Sequence, residues 1–336
     1  MNKRDYMKLA INHQSSDRVP YCIRLTGEAI KLYGDQLLED YYNADAEEDL
    51  RAGLITKEQA IDLSIGNYMV NVPTAWWNWD YEHMPASYRD PDEGPEEMPP
   101  IVRGGNQEAY TNQAKYLSEK YGVYIGCLIF GSHWEKAYFT RGIENFLADL
   151  AAFPEFSKQL LDFIVARNME MLPDTLKCPY YDGILLGSDW GTQNDLIMSP
   201  DTWHNMIERG EKVQYDLIHS AGKDVMVHSC GCILRIMDDL VRLGVDILNP
   251  VQPECMDLQY LKDNYGDKIT FWGGITTQGV LPFGTPDEVR AETQRVIDIL
   301  SKNGGYITCS SQEIQTDVPY ENLKAMIDTA RDNGGC

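Results

Sequence analysis

Val-Met-Val-His-Ser-Cys-Gly, residues 225–231, is an apolar, strand-like run that ends in two soft metal ligands. His228 and Cys230 are one residue apart, so on an extended backbone both side chains point to the same side. A second strand-like run, residues 305–308, ends in Cys309. Three such ligands at the ends of two strands, with no fourth nearby, are typical of a catalytic zinc site. The competing interpretation is a buried cysteine beside a hydrogen-bonded core histidine.

Length and composition are compatible with one large domain. The chain has 336 residues, of which 43% are hydrophobic, and this fits a single α/β barrel with insertions. No apolar run would span a membrane and no signal-like segment follows the first residues, so we expect a cytoplasmic protein that does not bind membranes. Eight cysteines are too few for a disulfide scaffold. The net charge of -23 argues against a nucleic-acid partner, because phosphate binding needs an excess of Lys and Arg.

Strand-like and helical runs alternate along most of the chain. The predicted strands are residues 21–25, 67–72, 121–130, 183–187, 225–231, 245–251, 268–273 and 305–309. The predicted helices are residues 1–13, 47–63, 134–150, 155–172, 199–222, 232–243, 257–265, 285–302 and from 319 onward. Such alternation predicts a parallel sheet, and eight repeats favour a closed (β/α)8 TIM barrel over an open sheet. We therefore predict one domain over residues 1–336, with an N-terminal helical extension.

A long insertion interrupts this alternation after the second strand. Trp76, Trp77 and Trp79 lead into an acidic, Pro-rich segment, and we predict a lid-like insertion over residues 82–105. Long loops inside compact domains are usually functional lids or disordered. The tryptophans are explained either as an aromatic plug under this loop or as a wall for an aromatic substrate or partner.

In a TIM barrel the chemistry lies at the carboxyl ends of the strands. The residues predicted at those ends are mostly polar: Arg24, Thr74, His133, Asp189, His228, Cys230, Gln252, Trp272 and Cys309. Asp189 is either a helix cap, a group that faces the substrate or a partner that orients His228. His133 is either a substrate contact or simply the first residue of a helix, and Gln193 is uncharged and only positions other groups. These three are the catalytic candidates.

Several blocks of the chain resemble the uroporphyrinogen decarboxylase superfamily, and more closely its corrinoid-dependent methyltransferase branch. They are residues 13–20, 188–193 with 199–200, 227–231, 249–253, 272–275 and 319–323. The resemblance implies a zinc ion held by His228, Cys230 and Cys309, and a corrinoid (cobalamin) supplied by a partner corrinoid protein. Counting back from Pro319 would place the third ligand at Gln312 instead, so both positions are considered.

The resemblance also implies the reaction. We expect a zinc-dependent methyltransferase of anaerobic metabolism that moves a methyl group from a small donor to Co(I) corrinoid, with a methoxylated aromatic as donor (O-demethylation). The aromatic residues Trp76, Trp190, Trp272 and Tyr306, together with Gln252, are the predicted substrate contacts. The alternatives are a methylcorrinoid:thiol methyltransferase, a decarboxylase and a non-catalytic binding protein. Decarboxylation is disfavoured because residues 22–28 lack the Arg-rich signature of the decarboxylase. A homodimer is left open.

Overall fold

The computed structural model describes residues 1–77, 91 and 102–335. The strands in these residues are β1 (Met69–Asn71), β2 (Trp76–Trp77), β3 (Arg103–Gly104), β4 (Tyr124–Ile129), β5 (Gly183–Gly187), β6 (Asp224–His228), β7 (Ile247–Asn249), β8 (Thr270–Ile275) and β9 (Tyr306–Ser310). The helices there are α1 (Lys3–Ile11), α2 (Gly27–Asp40), α3 (Ala44–Arg51), α4 (Lys57–Ile65), α5 (Gln107–Tyr121), α6 (His133–Arg141), α7 (Ile143–Ala152), α8 (Pro154–Leu176), α9 (Pro200–Met206), α10 (Glu208–Ser220), α11 (Met237–Leu243), α12 (Leu258–Tyr265), α13 (Val280–Phe283), α14 (Pro286–Leu300) and α15 (Tyr320–Gly334).

Seven of the described strands belong to one sheet, in the order β1-β4-β5-β6-β7-β8-β9. The pairs β1/β4, β5/β6, β7/β8 and β8/β9 are all parallel. β2 and β3 form a separate antiparallel pair. The predicted α/β architecture with a parallel sheet is therefore confirmed. Among the described residues, no helix combines the length and the apolar composition that crossing a membrane requires.

The chain divides into two compact units, described here one at a time. Unit 1 consists of Met1–Val72, Gln113–Gly126 and Asp246–Cys336. In it β8 lies between β7 and β9, and β8 and β9 are buried along their whole length. α14 and α15 pack on each other in this unit. The single-domain assignment stays a prediction.

Residues 21–25, predicted as the first strand, form isolated bridges rather than a regular strand, which corrects that prediction. Tyr21 forms an isolated parallel bridge with Thr308, and Cys22 donates its backbone N–H to the carbonyl of Thr308. On the other side, the Asn67 side chain accepts the Ile23 N–H at 2.9 Å and donates to the Ile23 carbonyl at 2.9 Å. This buried side-chain amide supplies the hydrogen bonds that a neighbouring strand would otherwise provide.

Unit 2 consists of Pro73–Asn112 and Cys127–Val245. β5 and β6 pair over their whole length, so that Gly187 lies opposite His228 at the carboxyl end. α8 and α10 pack on each other, and α6 begins directly after the short loop that follows β4. Trp79 and the predicted insertion, apart from Pro91 and residues 102–105, lie outside the described residues.

Three helices predicted as continuous are divided in the structure. Residues 47–63 fall into α3 and α4, residues 134–150 into α6 and α7, and residues 199–222 into α9 and α10. The first two breaks contain Gly53 at φ +70° and Gly142 at φ +79°, conformations that glycine adopts without steric cost. α2 and α5 were not predicted at all.

Candidate functional site

Three potential metal ligands meet in unit 2 at the carboxyl ends of β5 and β6. Because Gly187 is paired with His228, the residues that follow β5 lie beside those that follow β6. Cys230 Sγ is 3.5 Å from His228 Nε2, which is 3.7 Å from Asp189 Oδ1. One ligand atom from each residue lies within 4.8 Å of the other two. Asp189, which follows β5, thus adds an oxygen donor to the His-x-Cys pair at the end of β6.

The backbones of the two strand-end loops approach each other closely. A Cβ atom on Gly191 would lie 2.5 Å from the carbonyl oxygen of Cys230, so only glycine permits this approach. Gly231 has φ +82°, and the Cys232 N–H donates to the Thr192 carbonyl at 2.7 Å. These contacts fix the loops that carry the potential ligands.

Asp189 is oriented by the loop that follows β6. Its Oδ1 atom accepts the Cys230 backbone N–H at 2.8 Å, while the Trp134 indole donates to its carbonyl oxygen at 2.9 Å. The same Oδ1 atom faces His228 Nε2. Asp189 therefore lies within the cluster, either as an oxygen ligand or as the group that positions Cys230 and His228. Its catalytic role stays a prediction.

The donor set suits a transition metal. Imidazole nitrogen, thiolate sulfur and carboxylate oxygen are the ligands that zinc takes in catalytic sites. The His228 side chain is 12% exposed and that of Asp189 is 38% exposed, so a small molecule can reach the cluster. These residues fit a zinc ion with an open coordination position.

Cys309 and Gln312, the two alternatives for a third ligand, lie in unit 1. Cys309 is 3% exposed, and burial raises the pKa of its thiol. Its Sγ atom is 3.8 Å from Ser310 Oγ. The Gln312 side chain accepts the Glu313 backbone N–H at 2.9 Å. The role of either residue in metal binding stays a prediction.

Two exposed phenylalanines of unit 2 were not predicted from the sequence, and one of them contacts the cluster. Phe130 is 53% exposed and packs edge-on against the His228 ring, with 5.8 Å between ring centroids. Phe139 is 49% exposed and packs against Tyr138, with 4.7 Å between ring centroids. A large exposed phenylalanine cannot be distinguished from a buried one by sequence pattern, because both occur in apolar runs.

Glu135 adds a second carboxyl group to this region. A Cβ atom on Gly187 would lie 3.2 Å from Glu135 Oε2, which places the carboxyl group at the end of β5. Burial, and after it the charge of Asp189, raises the pKa of Glu135 to about 7. The Tyr138 hydroxyl donates to Glu135 Oε1 at 3.4 Å.

His133 is the first residue of α6 and is fully buried, so it offers no surface to a substrate. Its Nδ1 atom is 3.4 Å from Glu211 Oε1, which also accepts the Ser188 hydroxyl at 3.3 Å. Burial lowers the pKa of His133 to about 4 and raises that of Glu211 to about 8. Both groups are therefore neutral at pH 7, and His133 has the surroundings of a core histidine.

The Glu211→Gln substitution is expected to remove a pH dependence of stability. Between about pH 5 and pH 8 the folded wild type keeps a proton on Glu211 that the unfolded chain releases. Its free energy of unfolding should therefore fall with rising pH, by up to about 1.4 kcal/mol per pH unit relative to the variant. Denaturant unfolding at a series of pH values measures this. The exposed control Glu155→Gln should keep the wild-type slope, and equal slopes for wild type and Glu211→Gln would contradict the expectation.

The predicted substrate contacts are mostly interior residues. Trp190, in unit 2, is fully buried and packs on Trp203 at 5.6 Å. In unit 1, the Trp272 indole donates to the Cys22 carbonyl at 3.0 Å and the Tyr306 hydroxyl to the Gly273 carbonyl at 2.8 Å. These contacts give the three aromatic residues packing roles, and substrate binding by them stays a prediction.

The remaining predicted residues differ in exposure. Trp76, in β2, is partly buried, and its indole N–H has no acceptor among the residues described. Gln193 is exposed in the loop after β5. Gln252, in unit 1, is 5% exposed. Their proposed roles also stay predictions.

A parallel α/β sheet thus carries a cluster of potential metal ligands at the ends of two paired strands. Residues 127–333 match the family described as Uroporphyrinogen decarboxylase (URO-D). Because this match covers more than half of the chain, the protein belongs to the uroporphyrinogen decarboxylase family, as the sequence blocks predicted. No curated protein sequence gives a significant match.

A solved methyltransferase structure shows the same fold, and two further structures match with TM-scores below 0.5. A methyltransferase from Methanosarcina mazei superposes with a TM-score of 0.70 over 99% of both chains, at 16% sequence identity. A rutinosidase from Aspergillus niger gives a TM-score of 0.47 at 15% identity, over 94% of this chain and 99% of that one. A chitinase from Chromobacterium violaceum gives 0.45 at 12% identity, over 94% and 98%.

Proposed function

We propose that this chain is a zinc-dependent methyltransferase that moves a methyl group from a small donor to the Co(I) corrinoid of a partner corrinoid protein. The observation that carries the proposal is the cluster of Asp189, His228 and Cys230 at two adjacent strand ends. The likeness in fold to a methyltransferase supports it. The zinc ion, the corrinoid-carrying partner, a homodimer and a cytoplasmic location are parts of the proposal.

The residues around the cluster support an aromatic ether as the proposed methyl donor. Methyl transfer from an ether leaves negative charge on the departing oxygen, and a zinc ion bound at this cluster would supply the Lewis acidity that stabilises this charge. Phe130 and Phe139 present exposed rings in the same unit as His228 and Cys230. Aromatic surfaces of this kind bind an aromatic donor by offset or edge-on contacts. We therefore favour a methoxylated aromatic as donor, with O-demethylation as the reaction.

The surroundings of Arg24 disfavour the decarboxylase alternative. In unit 1 its guanidinium group is 3.0 Å from a carboxylate oxygen of Glu313 and 3.4 Å from one of Glu58. An arginine that already pairs with two carboxylates is poorly suited to hold the carboxylates of a tetrapyrrole.

We also propose that the sheet closes into a (β/α)8 barrel in which residues 21–25 take the eighth strand position. Within unit 1 this segment is bonded on one side to β9, through Thr308, and on the other side to Tyr68, whose N–H donates to the Tyr21 carbonyl at 2.9 Å. Such a segment between the first and last strands is what closure requires.

A single-turnover assay under anaerobic conditions tests the function. The protein is mixed with a Co(I) corrinoid protein and either methoxybenzene or 4-methoxybenzoate, and methyl-Co(III) is followed by its absorbance. We expect methyl-Co(III) to form only when enzyme and ether are both present. If the protein instead methylates a free thiol from methyl-corrinoid and cleaves no ether, the thiol methyltransferase assignment is correct. If neither reaction occurs, the proposed function is wrong.

A further inference from the structure

Lys136 is a buried lysine that forms no ion pair among the described residues, although the charge of the neighbouring Glu135 acts on it. Its side chain, on α6 in unit 2, is 4% exposed. In the part of the chain that the structure describes, its ammonium group has no hydrogen-bond acceptor and no ion pair, and it lies over the ring of Trp77 at 5.5 Å from the centroid. Trp77 is itself fixed by a hydrogen bond of 2.9 Å from its indole to Asn168.

An unpaired ammonium in this position is energetically unfavourable. Lysine is almost never buried unless it is paired, because removing the charge from water costs several kcal/mol. Other lysines of unit 2 follow this rule: Lys158 and Lys212 lie at the surface and pair with Asp162 and Asp216. Burial lowers the pKa of Lys136 to about 8, although the charge of Glu135 raises it, so the group is still mostly charged at pH 7. A positive charge held this way is suited to bind an anion from outside the chain.

The ammonium group lies at the strand-end side of unit 2. Gly131 follows β4 with φ +74°, and a Cβ atom on it would be 3.4 Å from Lys136 Nζ and 3.9 Å from Phe139 Cε2. The positive charge and the exposed aromatic ring therefore face the same point, where Gly131 contributes no side chain. The backbone of Gly131 also lies next to Gly187, at the end of β5.

We propose that Lys136 is an anion-binding residue and that its ligand is a carboxylate group carried by an aromatic molecule. If the proposed function holds, on which this identification of the ligand rests, that molecule is the methyl donor, a methoxylated benzoate. A single ammonium group beside an aromatic ring matches one carboxylate on one aromatic ring. Phosphate is usually held by several donors or by an arginine fork, and neither accompanies Lys136 among the described residues.

Equilibrium binding of two probes tests the proposal without any turnover. 4-Methoxybenzoate carries the carboxylate, whereas methoxybenzene has the same ring and ether without it. Calorimetric titration of wild type should show tighter binding of 4-methoxybenzoate. In Lys136→Met its affinity should fall by about 10- to 100-fold, while the affinity for methoxybenzene is unchanged. The surface control Lys212→Met should bind both probes as wild type does.

The outcomes separate this inference from the proposed function. Lys136→Met removes a buried charge that forms no ion pair among the described residues, so it should fold with an unchanged or raised melting temperature; Lys136→Gln serves as a second variant. If wild type binds neither probe, or binds both equally, or if both variants keep wild-type affinity for 4-methoxybenzoate, the proposal is overturned. If binding depends on Lys136 but no methyl-Co(III) forms, the binding site stands and the methyltransferase assignment fails.

Discussion

Replacing Cys230 with alanine is expected to remove zinc from the chain and to reduce methyl transfer by well over about 100-fold. Even residues that only orient metal ligands typically cost 10- to 100-fold when mutated, and loss of a thiolate ligand costs more. Cys230 Sγ lies 3.5 Å from His228 Nε2 within the cluster of potential ligands. Alanine offers no ligand atom in its place. Metal analysis of purified protein and the single-turnover assay measure the two effects.

Cys232→Ala is the matched control. Cys232 lies in the same loop, two residues further on, but outside the cluster of potential ligands. Its replacement should leave one zinc per chain and near wild-type turnover. If Cys230→Ala kept full zinc content and activity, the strand-end cluster would not be the metal site.

The second large effect concerns the third ligand. We expect Cys309→Ala to weaken zinc binding by at least about 100-fold, because thiolate is a better zinc ligand than the Gln312 amide. Asp189→Asn should weaken it by about 10- to 100-fold, as expected for a group that accepts the Cys230 N–H and orients the cluster. The zinc affinity of each variant is measured by competition with a chromophoric chelator.

Any other order of zinc affinity among these variants would identify a different set of ligands. Full zinc affinity in Cys309→Ala, with loss of affinity in Gln312→Ala, would make Gln312 the third ligand. If Asp189→Asn alone abolished binding, Asp189 would be a direct ligand and Cys309 would not. Cys178→Ala, at a buried cysteine of unit 2 outside the cluster, controls for the general effect of removing a buried thiol.

The parallel strands were largely predictable from the sequence. β5 matches its predicted bounds, and six further strands lie within or near the predicted runs, because strands buried on both faces appear as short, continuous apolar segments. The first strand was not predictable in its actual form. Its hydrogen bonds come in part from the side chain of Asn67, which is far from it in sequence, and no local pattern indicates such a bond.

Helix boundaries were predicted less well for a related reason. The break at Gly142 depends on a positive φ, whereas an isolated glycine inside a helical pattern is often tolerated. The helix α2 contains Gly34, packed against Ile61 and Lys57 of α4, so its apolar face is defined by a tertiary contact rather than by a strong local pattern.

The candidate site was only partly accessible to sequence reasoning. The His-x-Cys spacing and the apolar run before it indicated the ligand pair, and the pairing of β5 with β6 brings Asp189 to it. The functional importance of Lys136 could not be inferred, because a lysine on a helix is usually solvent-exposed and its burial depends on packing against Trp77. The tryptophans proposed as substrate contacts include Trp190 and Trp272, which the structure buries in the interior.

The proposed function requires a catalytic zinc ion at the carboxyl ends of β5 and β6. Diffraction at the zinc absorption edge, from crystals of the protein purified with zinc, tests it most directly. We expect one anomalous peak per chain, at bonding distance of about 2.0–2.3 Å from His228 Nε2 and Cys230 Sγ. Absence of a peak there, or a single peak at the surface cluster of His204, Glu208 and Asp239 instead, would contradict it.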